Sequence, residues 1–473
     1  MFNIYYKIVI KLCKPLFLNI FLFESRLRSL RKNCDLIEAK NLTAEAGFHF
    51  HFLVCPWEGT RVPWYQLYLA SLISKNGCRV SFIIESFSYV YYPIHLVFVF
   101  IFRQRIIDEK SRNSQTINQL TFAERRACYE NIKANITWYT KSELVWRSCH
   151  SIFKNFYYRR QCLHYVKVKL KISQLGCDDV IVIPGGVLSP SFSYVLACNN
   201  CKIKYYTYDS GSNGQVIFAR EGVAAHLGEV ESFDFSSMSS SHSHIIQKSA
   251  DKLISDRMGS RDIFKYQKVK RGSNDLSNYL DPSKLNILVP LSCPWDAASL
   301  MRRDVYGTEF SFVKKILQTY KNENIIIRVH PIERLRSNSR YDDIFKLYKI
   351  HSNVKIISAD TAVNTYDLVE AVDMVISRNT SLGAESFILG KTSVSSTISY
   401  WNDTVGLYPT SLDPDLVKMR YAIAQHYNWN FPSVNLTNVS FDEIDANSFD
   451  VFTDMALHYK RHIDVKLDRI IEK

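Results

Sequence analysis

Two short polar turns carry the side chains whose types and spacing could do chemistry. The first ends the apolar run "NIIIRVHP", where His330 is preceded by Arg328 and followed by Pro331. Proline favours an extended His330 and suits the first turn of a helix, whose free N–H groups bind phosphate. The imidazole of His330 and the guanidinium of Arg328 would add donors to the same anion. Taken alone, however, a His-Pro pair more often simply ends a strand.

A second turn, "SRNTSLGAES", makes ligand binding the favoured interpretation of the His-Pro pair. Ser377, Thr380 and Ser381 offer hydroxyl groups, and a helix that starts near Leu382 offers backbone amides. Glu385 falls about one turn inside this helix, where a carboxylate could accept both hydroxyls of a ribose. The alternative is a capped helix whose glutamate faces solvent. Two turns suited to anions within one domain predict a nucleotide-binding site.

Strands and helices alternate through the region that must position these turns. After Pro282 the apolar runs read as strand ("KLNILVP"), helix ("EFSFVKKILQTYK"), strand ("NIIIRV") and strand ("NVKIIS"). A helix with Asn364 as its cap, the strand "DMVIS", the helix "LGAESFIL" and the strand "TSVSS" follow, with Gly390 as a helix stop. This alternation predicts a Rossmann-like domain, in which ligands bind at the carboxyl ends of the strands.

A second α/β pattern precedes it. Strands are predicted over Phe50–Val54, Arg79–Ile84, Val180–Ile183 and Lys202–Tyr208, with a helix from about Trp64 to Ser74. Residues 86–170 are aromatic, basic and mostly helical in pattern, and the serine-rich "SFDFSSMSSSHSH" resembles a poorly ordered loop. Both α/β regions place Cys-Pro-Trp and an acidic residue after their first strand.

The expected fold class is therefore α/β with two Rossmann-like lobes and a helical insertion in the N-terminal lobe. We expect an N-terminal helical segment over 1–45, a first lobe over 46–280 with its insertion at 86–170, and a second lobe over 281–430. A helical segment over 431–473 would pack back on the first lobe.

The charge balance favours an anionic partner. The 473 residues include 59 Lys and Arg against 46 Asp and Glu, a net charge of +13 that is spread along the chain. Scattered charge is typical of a solvated surface, and no common nucleic-acid module is visible, so nucleic acid is not an expected partner. Eleven cysteines, odd in number and irregularly spaced, indicate a reducing compartment. Cys198 and Cys201 lack the second ligand pair of a zinc site.

Two apolar stretches suggest contact with a membrane surface. Residues 4–23 carry three lysines and a proline, which suit an interfacial helix better than a spanning one. Residues 86–102 lie at the lower length limit for spanning and contain Pro93 and His95. A buried or interface-dipping helix is favoured over a transmembrane span for this stretch.

The run "RVHP … DLVEAVDMVISRNTSLGAESFILGK" resembles bacterial capsular polysaccharide glycosyltransferases, including those that add Kdo from CMP-Kdo. More widely, it is similar to GT-B transferases with a His-Pro motif and a Ser/Thr-rich nucleotide loop. The resemblance implies that His330, Pro331, Thr380, Ser381 and Glu385 hold the donor nucleotide. The Kdo-transferring relatives carry a Gln-Pro motif that this chain lacks, so the donor sugar stays open.

Such a transfer needs a group that takes the proton from the acceptor hydroxyl. The candidates at ligand-side turns are Glu58, Asp209 and Asp296, with Glu58 first because it follows the first strand of the presumed acceptor lobe. Each could instead be a turn carboxylate that bonds nearby amides. Nearby arginines suit phosphate or a sugar carboxylate, or are surface residues: Arg61, Arg302 and Arg303. No Asp-x-Asp motif stands out, which fits GT-B transferases without a metal ion.

The sequence thus predicts a GT-B-like glycosyltransferase that uses a nucleotide-sugar, needs no cofactor and acts on a polysaccharide or glycolipid acceptor. It would lie in the cytoplasm, peripheral to the inner face of the membrane. A polyol-phosphate transferase with a CDP-linked donor is the nearest alternative, and a non-catalytic polysaccharide- or nucleic-acid-binding protein is another. An epimerase on the same fold would have no use for the membrane-seeking segments.

Overall fold

A computed structural model describes most of the chain outside its N-terminal segment. The described residues are 47–54, 69–70, 73–74, 76–84, 117–210, 215–259, 272, 275–302, 306–331, 333, 344–346, 350–402, 406–407, 413–426, 428–430 and 458–471. Several predictions concern positions outside them: the stretches 4–23 and 86–102, most of the helix predicted from Trp64 to Ser74, and the residues Glu58, Arg61 and Arg303.

The chain forms two compact units. The first comprises Met1–Tyr129, Asn155–Ala225 and Asn428–Val465, and the second comprises Glu130–Lys154, His226–Tyr427 and Lys466–Lys473. Residues 226–280 and, within the predicted insertion, Glu130–Lys154 therefore belong to the second unit, whereas the sequence pattern assigned both segments to the first lobe. Each unit contains a mainly parallel sheet with helices, so the fold is α/β with two Rossmann-like units, as predicted.

The first unit is built on a six-stranded sheet in the order β11-β5-β4-β3-β1-β2. Its strands are β1 (His49–Val54), β2 (Arg79–Ile84), β3 (Asp179–Pro184), β4 (Lys204–Ser210), β5 (Gln215–Arg220) and β11 (Asn428–Asn430). β1 to β4 pair in parallel, and β5 runs antiparallel to β4. The four predicted strands are confirmed to within two residues at either end. The apolar runs of β1 and β3 are buried, as expected for strands covered on both faces.

The insertion is helical where the structure describes it, from residue 117 onward. Its helices are α1 (Phe122–Thr140), α2 (Glu143–Ser148) and α3 (Ser151–Ile172). A capping box starts α1: Glu124 N donates to Thr121 Oγ1 over 3.2 Å, and Thr121 N donates to Glu124 Oε2 over 2.9 Å. Tyr165 and Lys169 of α3 donate to the other carboxylate oxygen, each over 2.6 Å, which ties α3 to the start of α1.

Two further helices are α4 (Ser191–Cys201), in the first unit, and α5 (Gly228–Ser232), in the second. The helix α11 (His462–Ile471) begins in the first unit and continues from Lys466 in the second. Cys198 lies in the buried face of α4 among apolar side chains, so it packs as a core residue. Among all the described helices, none is both long and apolar enough to cross a membrane.

The second unit is built on a five-stranded parallel sheet in the order β10-β9-β6-β7-β8. Its strands are β6 (Asn286–Pro290), β7 (Asn324–Arg328), β8 (Val354–Ile357), β9 (Met374–Ser377) and β10 (Thr392–Ser395). The helices that follow these strands in the chain are α7 (Glu309–Thr319), α8 (Thr365–Ala371) and α9 (Ser381–Ile388). Every element predicted here from Leu285 to Ser395 is present.

The ends of these elements follow from local chemistry. Asn364 caps α8 by accepting a hydrogen bond from Tyr366 N over 2.9 Å, and Gly390 has a φ of +80° after α9. The serine-rich stretch contains a helix start instead of a loop. Ser239 accepts from His242 N and begins α6 (Ser240–Met258), which packs with α10 (Pro414–His426).

Candidate functional site

The strand order of the second unit reverses between β6 and β9. The chain runs from β6 to β7 and β8 on one side, and then returns to place β9 and β10 on the other. In open parallel sheets such a reversal opens a crevice outside the carboxyl ends of the two central strands, and ligands bind there. The segments that leave β6, β7 and β9 contain Ser292, His330 and Thr380 respectively. The structure therefore brings both predicted anion-binding turns to one edge, about 10 Å apart with β6 between them.

His330 stands at the carboxyl end of β7 and is partly buried. Glu333 N donates to His330 O over 3.0 Å, which closes a turn through Pro331. Burial, and then the charge of Arg328, lowers the pKa of His330 to about 4. The imidazole is consequently neutral at pH 7, and it can donate one hydrogen bond to a phosphate without carrying a charge.

Arg328 itself is used inside the fold. It is 5% exposed, and its guanidinium donates to Ser358 O over 2.5 Å and to Val363 O over 3.3 Å. These two carbonyls belong to the loop between β8 and α8. The side chain therefore holds this loop, and we leave it out of the proposed phosphate site.

The turn after β9 forms the start of α9. Thr380 has an extended backbone (φ −143°, ψ 142°) and its hydroxyl accepts from Leu382 N over 3.3 Å, the geometry of an N-cap. Ser381 is the first residue of the helix and is partly exposed. Ser377, in contrast, is fully buried and donates to Val394 O over 3.4 Å. Thr380 and Ser381 thus remain available at the edge, whereas Ser377 packs beneath it.

Close packing holds α9 against the unit. A Cβ built on Gly383 would collide with the ring of Trp401 and would lie 2.9 Å from Ser377 Oγ. Trp401 is 1% exposed, so the ring has no open space into which to move. Only glycine allows this approach, and it fixes the position of the helix start.

Glu385 lies in a buried polar cluster. It is 2% exposed, accepts from Tyr366 Oη over 2.7 Å and from Tyr421 Oη over 2.9 Å, and forms an ion pair with Arg257. Gln425 binds the other end of the same guanidinium. Because its oxygens already accept these donors within the packing of α6, α8, α9 and α10, we do not include Glu385 in the proposed nucleotide site.

A second charged cluster at this edge escaped the sequence interpretation. Arg378, directly after β9, lies 3.5 Å from carboxylate oxygens of both Glu143 and Glu309. Ser292, after β6, donates to Glu309 through its amide over 3.1 Å and through its hydroxyl. No described residue donates to the second oxygen of this glutamate, Oε2.

Burial raises the pKa of Glu309 to about 7, although Arg378 and Ser292 act in the opposite direction. Its carboxyl group is therefore part protonated at neutral pH. A buried acid with this pKa can donate or accept a proton, which is the property expected of a group at a catalytic or ligand-binding edge.

The predicted catalytic carboxylates lie in different surroundings. Asp296 has an exposed surface in the turn after β6 and accepts weakly from Ala298 N over 3.4 Å. The protein packed around its carboxyl group nevertheless raises the pKa of Asp296. Next to it, Lys141 Nζ lies 4.4 Å from the ring centroid of Trp295. Asp209 is partly buried near the carboxyl end of β4, in the first unit.

Arg302 is committed to internal contacts. Its guanidinium pairs with Glu231 and donates to the carbonyl oxygens of His226 and Ile398. A side chain held by three partners and only 9% exposed positions the loop after β6 and does not face a ligand.

The chain is similar to several solved structures, at low sequence identity. No protein-family profile and no curated protein matches the sequence. The solved structure of the beta Kdo 2,4 transferase KpsC from Thermosulfurimonas dismutans is similar over 51% of this chain and 78% of that one, with 18% identity and a TM-score of 0.38. The beta Kdo 2,7 transferase of the same KpsC is similar over 61% and 88%, with 16% identity and a TM-score of 0.36.

A putative UDP-N-acetylglucosamine 2-epimerase from Listeria monocytogenes is similar over 90% of this chain and 95% of that one, with 11% identity and a TM-score of 0.24. At these identities and TM-scores, the activity has to be argued from the site itself.

Proposed function

We propose that the protein is a glycosyltransferase that moves a sugar from a nucleotide-activated donor to a surface polysaccharide or its lipid-linked precursor. One observation carries the proposal: the His330 turn and the capped start of α9 meet at the carboxyl edge where the strand order reverses. The resemblance of the same two turns to the nucleotide loops of capsular transferases supports this class. The second unit would hold the donor.

Each proposed donor-binding residue has a distinct role. The amide and hydroxyl of Ser381 and the N-terminal amides of α9 would bind the phosphates, assisted by the positive end of the helix dipole. The neutral imidazole of His330 would donate one further hydrogen bond, and Pro331 would keep its backbone extended. Arg378, directly after β9, would add positive charge at this edge, part of which Glu143 and Glu309 neutralise.

The acceptor proton needs a base. Asp296 is the described candidate at the donor edge because it is exposed and follows β6 directly. Asp209 and Glu58 remain predictions for the first unit. The proposed reaction uses no cofactor and needs no metal ion to bind the donor.

We place the enzyme in the cytoplasm at the membrane surface, where a lipid-linked acceptor would lie. The N-terminal half of α3 supports this placement, because Ile152, Phe153 and Phe156 are 70%, 62% and 59% exposed. Arg159 and Arg160 follow on the same helix and are also exposed. Exposed aromatic and aliphatic side chains next to arginines suit an anionic lipid interface.

A thermal-shift panel tests the donor site. CMP, CDP, UDP, GDP and ADP are added to the purified protein, and one of them is expected to raise the melting temperature. At a concentration 100 times its Kd, a nucleotide stabilises by about 2.7 kcal/mol. His330→Ala removes one hydrogen bond to a charged group and should weaken binding by about 10- to 100-fold. His244→Ala, an exposed histidine in the same unit, is the matched control.

The outcomes separate the alternatives. Stabilisation by CDP alone, together with release of CMP from a CDP-polyol, would favour the polyol-phosphate transferase. No stabilisation by any nucleotide, combined with polysaccharide or nucleic-acid binding that falls steeply with salt, would overturn the enzyme proposal in favour of a binding protein.

A further inference from the structure

Two histidines and an aspartate converge at the amino-terminal end of the first sheet. His49 and His51 lie two residues apart on β1, so their side chains share one face of the sheet. Asp179 begins β3 and is the direct register partner of His49. His51 Nε2 lies 2.8 Å from Asp179 Oδ1, and His49 Nδ1 lies 3.4 Å from the same oxygen. The three ligand atoms all lie within 4.8 Å of one another.

The neighbours of this triad fix the orientation of two of its members. Ser81, on β2, has its Oγ 2.7 Å from His51 Nδ1. Gly176 N donates to Asp179 Oδ2 over 2.6 Å. Both contacts engage the outer atom of the side chain, which leaves His51 Nε2 and Asp179 Oδ1 facing the centre of the triad. Ligands in metalloproteins are held in this way by a second layer of hydrogen bonds.

We propose that His49, His51 and Asp179 form a binding site for a divalent transition-metal ion, with Zn²⁺ as the best-matched cation. Two imidazole nitrogens and one carboxylate oxygen are a common zinc ligand set, and a water molecule would complete the tetrahedron. This proposal does not depend on the glycosyltransferase assignment.

The distances fit this coordination after a small adjustment. Zinc–ligand bonds of about 2.0–2.1 Å at tetrahedral angles place the ligand atoms about 3.3 Å apart. The His49–Asp179 distance of 3.4 Å already matches. The His51–Asp179 distance of 2.8 Å is that of a hydrogen bond and must widen by about half an ångström. Binding of a metal ion between these atoms would displace the proton that a hydrogen bond of this length requires.

The charges beside the triad act in opposite directions. The carboxylate of Asp179 lies within 3.4 Å of both histidines and would attract a cation. Arg79, the register partner of His49 on β2, opposes binding by its charge.

The site is reachable from solvent and lies away from the edge at which ligands are expected. The side chains of His49, His51 and Asp179 are 27%, 12% and 19% exposed, enough for an ion to enter from solvent. The site lies at the amino ends of β1 and β3, the opposite edge of this sheet from the carboxyl ends where ligands bind. A bound ion would therefore cross-link β1 and β3, the middle pair of the four parallel strands in this sheet.

Metal binding to the chelator-treated full-length protein tests the proposal. Titration with ZnCl₂ should show one site per chain by calorimetry and should raise the melting temperature. Co²⁺ should give the visible bands of a tetrahedral nitrogen–oxygen site without the intense near-ultraviolet bands of thiolate ligands. This distinction matters because the chain also contains eleven cysteines.

Ligand variants complete the test. His51→Gln and Asp179→Asn are expected to weaken Zn²⁺ binding by more than about 100-fold, and Ser81→Ala by about 10- to 100-fold. Arg79→Ala should tighten it. The exposed His458, in the same unit, gives the matched control His458→Ala.

The circular dichroism spectrum reports whether each variant is folded, and His49→Gln replaces any variant that is not. Unchanged Zn²⁺ affinity in folded ligand variants, or Co²⁺ spectra with thiolate bands, would overturn the proposal.

Discussion

Replacing Glu309 by glutamine should change how the stability of the second unit depends on pH. The carboxyl group is 3% exposed, and its folded-state pKa is about 7 against an ordinary value of 4.5. A raised pKa means that the folded protein binds this proton more tightly than the unfolded chain does. The favourable contribution is complete below pH 4.5 and is lost as the pH rises through 7. Glutamine has no proton to lose, so the variant lacks this dependence.

The size of the effect follows from the shift. Moving the pKa of Glu309 from 4.5 to about 7 changes the free energy of unfolding by about 3 kcal/mol between low and high pH. Most of this change, about 2.5 kcal/mol, falls between pH 5 and pH 8. The melting temperature of a domain of this size changes by about 2–4 °C per kcal/mol. Relative to wild type, Glu309→Gln should therefore gain about 5–10 °C when the pH is raised from 5 to 8.

The assay is differential scanning fluorimetry of both proteins in one buffer series from pH 5 to 8. Glu370→Gln, an exposed glutamate of α8, serves as the control and should parallel wild type. Glu143→Gln gives a second check, since the charge of Glu143 helps to raise the pKa of Glu309 and its removal should make the pH dependence shallower. A difference between wild type and Glu309→Gln that stays constant with pH would refute the reasoning.

Two further predictions concern packing and the membrane surface. Gly383→Ala places a methyl group against the buried ring of Trp401 and should destabilise the second unit by about 1–3 kcal/mol. The control is Gly272→Ala, which adds backbone strain at a φ of +73° but no steric contact, because no atom lies within 4 Å of the added Cβ. Equal melting temperatures for the two variants would contradict the prediction. The double variant Phe153→Ser/Phe156→Ser should reduce sedimentation of the protein with vesicles that contain anionic phosphatidylglycerol. Tyr139→Ser, which removes another exposed aromatic side chain, on α1, should reduce it less. Unchanged sedimentation of the double variant would count against α3 as the membrane contact.

Local patterns were sufficient to predict most of the fold. Runs such as "NIIIRV" and "DMVIS" are apolar on both faces, which is typical of a parallel strand covered on both sides, and they form β7 and β9. The serine-rich stretch misled because its composition is that of a loop, although Ser239 serves as the cap of α6. A cap residue and a loop residue look alike when the helix that follows has a weak apolar pattern.

The site was predictable only where it is local in sequence. His330 and Thr380 could be proposed from the sequence because each follows the end of a strand and lies in a turn. The cluster of Glu309, Arg378 and Glu143 could not, since these residues come from three distant segments and no sequence spacing relates them. Glu385 is a different case. Helical periodicity placed it one turn into α9, but it could not tell whether that face meets the crevice or the tyrosines of α8 and α10.

The proposed metal site is readable from the sequence only in part. The alternation of "HFHF" puts His49 and His51 on one face of a strand, and that much can be read from the sequence. The third ligand, Asp179, lies 128 residues away from His51 and joins them only because β3 pairs directly with β1 at the reversal of strand order. In the register of this strand pair, the first residue of β3, Asp179, lies directly beside the first residue of β1, His49. The amino-terminal residues of two parallel strands that flank a reversal of strand order therefore lie close together, and this proximity follows from topology before any side chain is placed.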